Sequence, residues 1–195
     1  MSDELVLGLP AARLQELGAF TGFTSDVQRY LPGLFDAQHL SFRPRSECET
    51  DPTWLQLIPY VVLRYNNRLF HYTRGSKGGE KRLHALKSIG IGGHINPVDT
   101  EAADPYCAGM ARELAEEIHI GCVYSESVLG LVYDPSTTVG SVHLGVVHVL
   151  ALDNDDVKPR EVSIVECGFA GIADLRRDEA QFETWSQLVL ANLTK

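Results

Sequence analysis

The chain has no apolar run of membrane-spanning length and no basic segment leading into an apolar one, which predicts a cytoplasmic protein with no membrane partner. Cysteine is scarce. The 4 present, Cys48, Cys107, Cys122 and Cys167, are too widely spaced for a zinc ribbon or a redox pair, and too few for a disulfide scaffold in 195 residues. Positive charge is in the minority too: 17 Lys and Arg against 26 Asp and Glu give a net charge of −9. That balance excludes general nucleic-acid binding, which needs many cations to neutralise phosphates. The 7 histidines show no ligand spacing; His143 and His148 differ by an odd number and face opposite sides of a strand. What is plentiful is apolar residue, 44%, enough for one well-buried domain with an appended segment.

Against this background, the run Arg112-Glu113-Leu114-Ala115-Glu116-Glu117 stands out. On a helix, Glu113, Glu116 and Glu117 fall at i, i+3 and i+4 and are surface neighbours. Three like charges this close raise one another's pKa unless a cation sits among them, and a hard divalent ion with oxygen ligands meets that need. Arg112, four residues before Glu116, is placed to pair with it and fix its rotamer. The helix has its own signals: Asp104-Pro105 reads as an N-cap and first position, and Gly121 as the stop after His119 and Ile120. Ala108, Ala111, Ala115 and Ile118 form a small-residue stripe predicted to pack on a sheet, with the carboxylates away from it.

Upstream, Ile89 to Asp99 reads as a strand running into the paired glycines Gly92-Gly93 and a turn. Basic residues gather just before them: Arg64, Arg68, Arg74, Lys77, Lys81, Arg82 and Lys87, with only Glu80 opposing. A solvated hairpin has the same composition. Alternatively, Arg74 and Arg82 supply the anion-binding half of a site whose other half is a metal.

The glycines and the acidic helix together resemble the Nudix box, G-x5-E-x7-R-E-U-x-E-E-x-G-U with U a bulky aliphatic. Gly93 takes the first glycine, Asp99 stands where the family has glutamate, and Arg112, Glu113, Leu114, Glu116, Glu117 and Ile120 match the second half. There are departures. Twelve residues rather than seven separate Asp99 from Arg112, a five-residue insertion around Ala102 to Cys107, and His119 replaces the last glycine. A loop before the helix absorbs such an insertion at small entropic cost. A helix continuing to Gly121 would accommodate His119.

The resemblance implies an α/β/α sandwich with a mixed β-sheet between helices. It implies hydrolysis of a phosphoanhydride bond in a nucleoside diphosphate linked to another moiety, by water attack on phosphorus. Mg2+ or Mn2+ would be held by Glu113, Glu116 and Glu117 with a carbonyl of Gly92 or Gly93. Glu113, Glu161 and Glu166 compete for the general base, with the helix carboxylate preferred. Two other readings of the fold remain. A prenyl-diphosphate isomerase needs a cysteine near the glycine strand, and neither Gly92 nor Gly93 supplies one. A non-catalytic nucleotide sensor is at liberty to lose helix carboxylates, and this chain keeps three.

The coarse pattern agrees. Ile58 to Tyr65 and Arg68 to Tyr72 read as a hairpin about Asn66-Asn67; Ser88 to Ile91, Val128 to Tyr133, Val142 to Leu152 and Glu161 to Phe169 read as further strands. A C-terminal helix presents Phe182, Trp185, Leu188 and Val189 on one face. Residues 1–55 read as an extension packed on a domain of residues 56–195, with a strand at Leu5 to Leu7 and a helix from Ala11 to Leu17. Dimerisation and covering the substrate are both open roles for it.

Overall fold

A computed structural model describes residues 3–75 and 86–193, which form two compact units, each built from three stretches of chain. The first comprises Met1–Pro59, Gly93–Ala111 and Val128–Val147; the second comprises Tyr60–Gly92, Arg112–Ser127 and His148–Lys195. Among the described residues no helix is long and apolar enough to cross a membrane.

The first unit opens with β1 (Leu5–Pro10), α1 (Ala11–Gly18), β2 (Gly22–Thr24), α2 (Val27–Leu34), β3 (Ser41–Pro44), α3 (Arg45–Cys48) and the start of β4 (Trp54–Tyr65). Strand β1 is antiparallel to β3, with Leu5 opposite Pro44, and to β4, with Gly8 opposite Gln56. Residues 1–55 therefore contribute backbone hydrogen bonds to the sheet. Strands β9 (Tyr124–Tyr133) and β10 (His143–Leu152) complete it, in the order β4, β10, β9, β2. Residues 143–150 of β10 are all buried, the mark of a strand covered on both faces. Leu9, Leu14, Leu34, Leu55, Leu57, Ile95, Leu131, Leu144 and Val146 form the core.

In the second unit β4 turns into β5 (Arg68–Arg74) through Asn66, whose φ of 53° suits a tight hairpin. The strand expected over Ser88 to Ile91 is split into β6 (Lys87–Ser88) and β7 (Gly90–Gly92), pairing with β5 and β4 respectively. Gly90 is required here, because a Cβ would lie 2.2 Å from the Tyr60 ring. Strand β12 (Ile164–Gly171) lines the other edge of β5, and α5 (Ile172–Arg177) and α6 (Thr184–Asn192) follow.

A buried polar knot fixes the start of α6. Glu183 accepts from the Trp185 and Ser186 backbone N–H groups at 2.8 and 2.9 Å, and the Tyr60 hydroxyl donates to Glu183 at 2.7 Å. The Ile89 N–H donates to Ser186 Oγ at 3.0 Å, so the same knot holds the strand segment before the glycines. Burial, with Glu183 alongside, raises the Tyr60 pKa well above its ordinary value and keeps the hydroxyl a donor.

Helix α4 (Pro105–Glu117) starts as predicted: Asp104 Oδ1 accepts from Cys107 N–H at 3.0 Å. Its end differs from the prediction. The helix stops at Glu117, and Ile118–Ile120 becomes β8, antiparallel to β11 (Val157–Pro159). The cause lies in the chain around residue 160. Arg160 and Glu161 N–H donate to the Glu117 carbonyl at 2.8 and 3.2 Å, and the Arg160 guanidinium donates to the Ala115 carbonyl at 2.6 Å. These donors satisfy carbonyls that a longer helix would have bonded internally. The stripe also differs: Ala111 and Ala115 are exposed, while Tyr106, Gly109, Met110, Leu114 and Ile118 are buried. Larger apolar area decides which face turns inward. The architecture is the expected α/β class, with helices and a mixed sheet.

Candidate functional site

Because the buried stripe runs through Met110 and Leu114, Glu113 and Glu117 sit on its flanks and are half-buried, whereas Glu116 is exposed. Arg112 Nη1 contacts Glu113 Oε1 at 2.8 Å and Glu116 Oε1 at 3.4 Å. The expected partner, Glu116, is thus the looser contact, since its side chain is 59% exposed against 18% for Glu113.

Glu117 is strongly perturbed. Burial raises its pKa to about 7; Arg74 opposes the rise, and Glu161, Glu113 and Glu116 add to it. Glu161 owes its place to the helix cap, because its own N–H bonds the Glu117 carbonyl. Its side chain is exposed and accepts from Ser163 Oγ. Glu166, also exposed, lies at a β-bulge with φ 48° and accepts from Thr73 Oγ1 at 3.1 Å.

Arg74 ends β5, opposite Ile164 of β12, two residues after Tyr72 and on the same face as its ring. Burial opposes its charge, yet Tyr72, Glu183, Glu117 and Tyr60 raise its pKa above the ordinary value. Its Nε is buried and has no hydrogen-bond partner among the described residues. A buried, unsatisfied, permanently charged donor is costly and is rare without a ligand to receive it. The other basic residues divide. Arg64 donates to the Asn66 carbonyl and Arg68 pairs with Asp155 at 2.9 Å, both serving the hairpin and its surroundings. Arg82, with Lys77 and Lys81, lies outside the described residues.

Gly92 ends β7, and Gly93 follows it as the first residue of its stretch in the other unit. Asp99 is buried and serves its own turn: Oδ2 accepts from Asn96 N–H at 2.8 Å in a capping box on the 3-10 helix Pro97–Glu101. Sequence reasoning missed this local role, although Asn-Pro-x-Asp is a readable cap signal. Glu161, one of the candidate bases, does lie among the charged neighbours of Glu117, whereas the sequence shows no grouping of histidines. The structure corrects that: His94, His143 and Glu49 each present a ligand atom, all within 4.8 Å of one another. The four cysteines are free thiols, as expected.

The end of α4 thus gathers carboxylates, with Arg74 among the charged neighbours of Glu117. No family model matches the chain. It is 33% identical to Protein YmaB of Bacillus subtilis (strain 168) over 199 residues, covering 96% of each chain. Among solved structures it is similar to Tm1382, a candidate Nudix hydrolase, with 30% identity, a TM-score of 0.79 and coverage of 96% of this chain and 97% of that one. The Nudix domain of Shewanella oneidensis NrtR shares the fold at 15% identity, with a TM-score of 0.54, covering 71% of this chain and 85% of that one. The chain belongs to the Nudix hydrolase superfamily and is a Nudix-type pyrophosphohydrolase.

Proposed function

We propose that the chain is a metal-dependent hydrolase of a nucleoside diphosphate linked to another moiety, acting by water attack on phosphorus in the cytoplasm. The observation that carries this reading is the environment of Glu117, where burial and three neighbouring carboxylates hold its pKa near 7 beside Arg74. An all-oxygen donor set whose charges repel one another fits a hard divalent ion such as Mg2+ or Mn2+. Glu113, Glu116 and Glu117 would hold it, with the Gly92 carbonyl as a further oxygen of the same unit. When bound, such an ion supplies neutralisation of the diphosphate and a lowered pKa for bound water.

The protein's own groups do the rest. Arg74 directs its buried Nε at a non-bridging phosphate oxygen, and a charge-assisted bond there orients the substrate. Arg82 is the second phosphate cation in this reading. Arg112 restrains Glu113 and Glu116 and offsets part of their repulsion. Glu113 takes the proton of the attacking water. In this reading residues 56–195 carry the hydrolase and residues 1–55 are an extension on it, joined to it where β1 runs antiparallel to the start of β4. The solved NrtR domain is a complex with ADP ribose, which supports this substrate class.

The test is a chromatographic product screen over ADP-ribose, nucleotide sugars, dinucleoside polyphosphates, nucleoside triphosphates and coenzyme A, with and without Mg2+, because cleavage of a linked nucleoside diphosphate yields two phosphomonoesters and no inorganic phosphate. Mg2+-dependent turnover of a linked nucleoside diphosphate is expected, with a loss of about 100-fold or more in Glu117→Gln. Binding without turnover would make the protein a sensor. Equal metal-induced shifts in melting temperature for Glu117→Gln and the parent would remove Glu117 from the metal shell.

A further inference from the structure

A second cluster of ligand-bearing side chains lies in the first unit, and the proposed hydrolysis makes no use of it. Glu49 follows α3, His94 comes directly after Gly93, and His143 is the first residue of β10. Their ligand atoms lie within 4.8 Å of one another, and the two imidazole rings are 5.6 Å apart at 61°. His143 is buried, and Glu49 and His94 are half-buried.

The tautomer of His143 follows from its partner. Nδ1 lies 2.7 Å from the Val139 carbonyl, which only accepts, so Nδ1 carries the proton and the lone pair resides on Nε2. A backbone carbonyl bonded to one ring nitrogen is the usual means of orienting a metal-binding histidine. That carbonyl is itself fixed by a tight turn: Gly140 N–H donates to Thr137 Oγ1 at 2.9 Å, and a Cβ on Gly140 would meet the Asp134 carbonyl at 2.1 Å.

His94 and Glu49 are held by the N-terminal segment. Leu7 N–H donates to the Ile95 carbonyl at 2.9 Å, anchoring the residue after His94 to β1. Asn96 Nδ2 donates to Glu4 at 3.2 Å, and Glu4 pairs with Arg45 at 2.8 Å. Arg45 also reaches Glu49, at 3.4 Å. Its shorter bond is to Glu4, so Glu49 can turn toward the histidines while Arg45 stays paired.

We propose that Glu49, His94 and His143 bind one transition-metal ion of the Zn2+ class. Two imidazoles and one carboxylate suit zinc and its neighbours, whereas Mg2+ and Ca2+ take oxygen donors. Metal–ligand bonds of about 2.0–2.2 Å require donors roughly 3.3 Å apart in a tetrahedron, so binding draws the three groups together by side-chain rotation. Three protein ligands leave one position for water. The site gives residues 1–55 a definite function, since they supply one ligand and the supports of another.

The test uses the full-length chain without a histidine tag, stripped with EDTA and exchanged into metal-free buffer. Co2+ is titrated while its visible d–d spectrum is followed, with Zn2+ as competitor. A single saturating equivalent, displaced by Zn2+ and untouched by excess Mg2+, is expected. His94→Ala and Glu49→Gln should each weaken Co2+ binding by at least about 10-fold, the loss that even an outer partner costs. His143→Ala should do the same, with circular dichroism as the check on folding; if it fails to fold, the two half-buried positions decide. A Glu116→Gln/Glu117→Gln double variant should keep the spectrum. No bound Co2+, a spectrum that survives both His94→Ala and Glu49→Gln, or one lost in the double variant would each overturn the assignment.

Discussion

The end of α4 and the cluster at Glu49, His94 and His143 both bring ionisable groups together, but they do so with different atoms and by different routes. At the helix end the side-chain donors are all carboxylate oxygens. Three of the four acids, Glu113, Glu116 and Glu117, lie within five residues of one another, and Arg74 is the compensating charge. In the other cluster two nitrogens accompany one oxygen, and the residues come from positions 49, 94 and 143. Donor chemistry separates the ions each would take, hard in one case and borderline in the other. The acids are held by one helix and by the cap it receives from Arg160 and Glu161, whereas the mixed cluster combines local supports, the Val139 carbonyl beside His143 and Arg45 beside Glu49, with the tertiary hold of β1 on Ile95.

The largest effect that would sharpen this contrast is on chemistry. Glu113→Gln is expected to lower kcat more than Glu161→Gln or Glu166→Gln at saturating Mg2+, by about 10²- to 10⁴-fold for loss of a general base. Co2+ binding at the histidines should be unchanged in all three. A dominant loss in Glu161→Gln or Glu166→Gln would move the base away from the helix.

Arg74→Gln removes the charge but keeps a polar side chain. A bond between charged partners is worth about 1.5–3 kcal/mol, so KM should rise by roughly 10- to 100-fold while metal binding persists. An unchanged KM in steady-state kinetics would confine Arg74 to balancing Glu117.

The third comparison is of stability with pH, in EDTA. The Glu117 pKa is about 7 in the folded chain against an ordinary 4.5, so the unfolded chain loses this proton first. Between those values the folded state binds more protons, and stability falls as pH rises; above about 7 the penalty is complete and constant. At about 1.4 kcal/mol per pH unit the loss is at most roughly 3 kcal/mol, reduced by solvent screening. Denaturant midpoints at pH 4.5 and 8 should converge in Glu117→Gln, and Mg2+ should restore the parent at pH 8 by favouring the ionised form. A parent curve that rises across the window would contradict the environment assigned to Glu117.

The smallest change is expected for Arg112→Lys. One guanidinium nitrogen makes the contacts with both Glu113 and Glu116, and an ammonium can replace part of that pairing. The cost should be roughly 1 kcal/mol, seen as a few-fold higher Mg2+ requirement that excess Mg2+ rescues. Parent-like Mg2+ titration in an inactive variant would place Arg112 on the substrate phosphate.

The sequence alone determined the features whose causes are local. Asp104-Pro105 starts α4 because a side chain two or three residues away can satisfy a helical N–H. Asn66 closes a hairpin because it tolerates positive φ, and the acids stand together because a helix repeats every three to four residues. Tertiary structure decided what depends on distant partners. Arg160 and Glu161 stop the helix at Glu117, short of Gly121, by supplying donors from beyond β11. Competition for buried area turns Tyr106, Met110 and Leu114 inward in place of the alanines, and so half-buries Glu113 and Glu117. Arg74 acquires its role from the acids around it. Glu49, His94 and His143 meet through long-range pairing of β1 and the turn before β10, and no periodicity in the chain records contacts between residues so far apart.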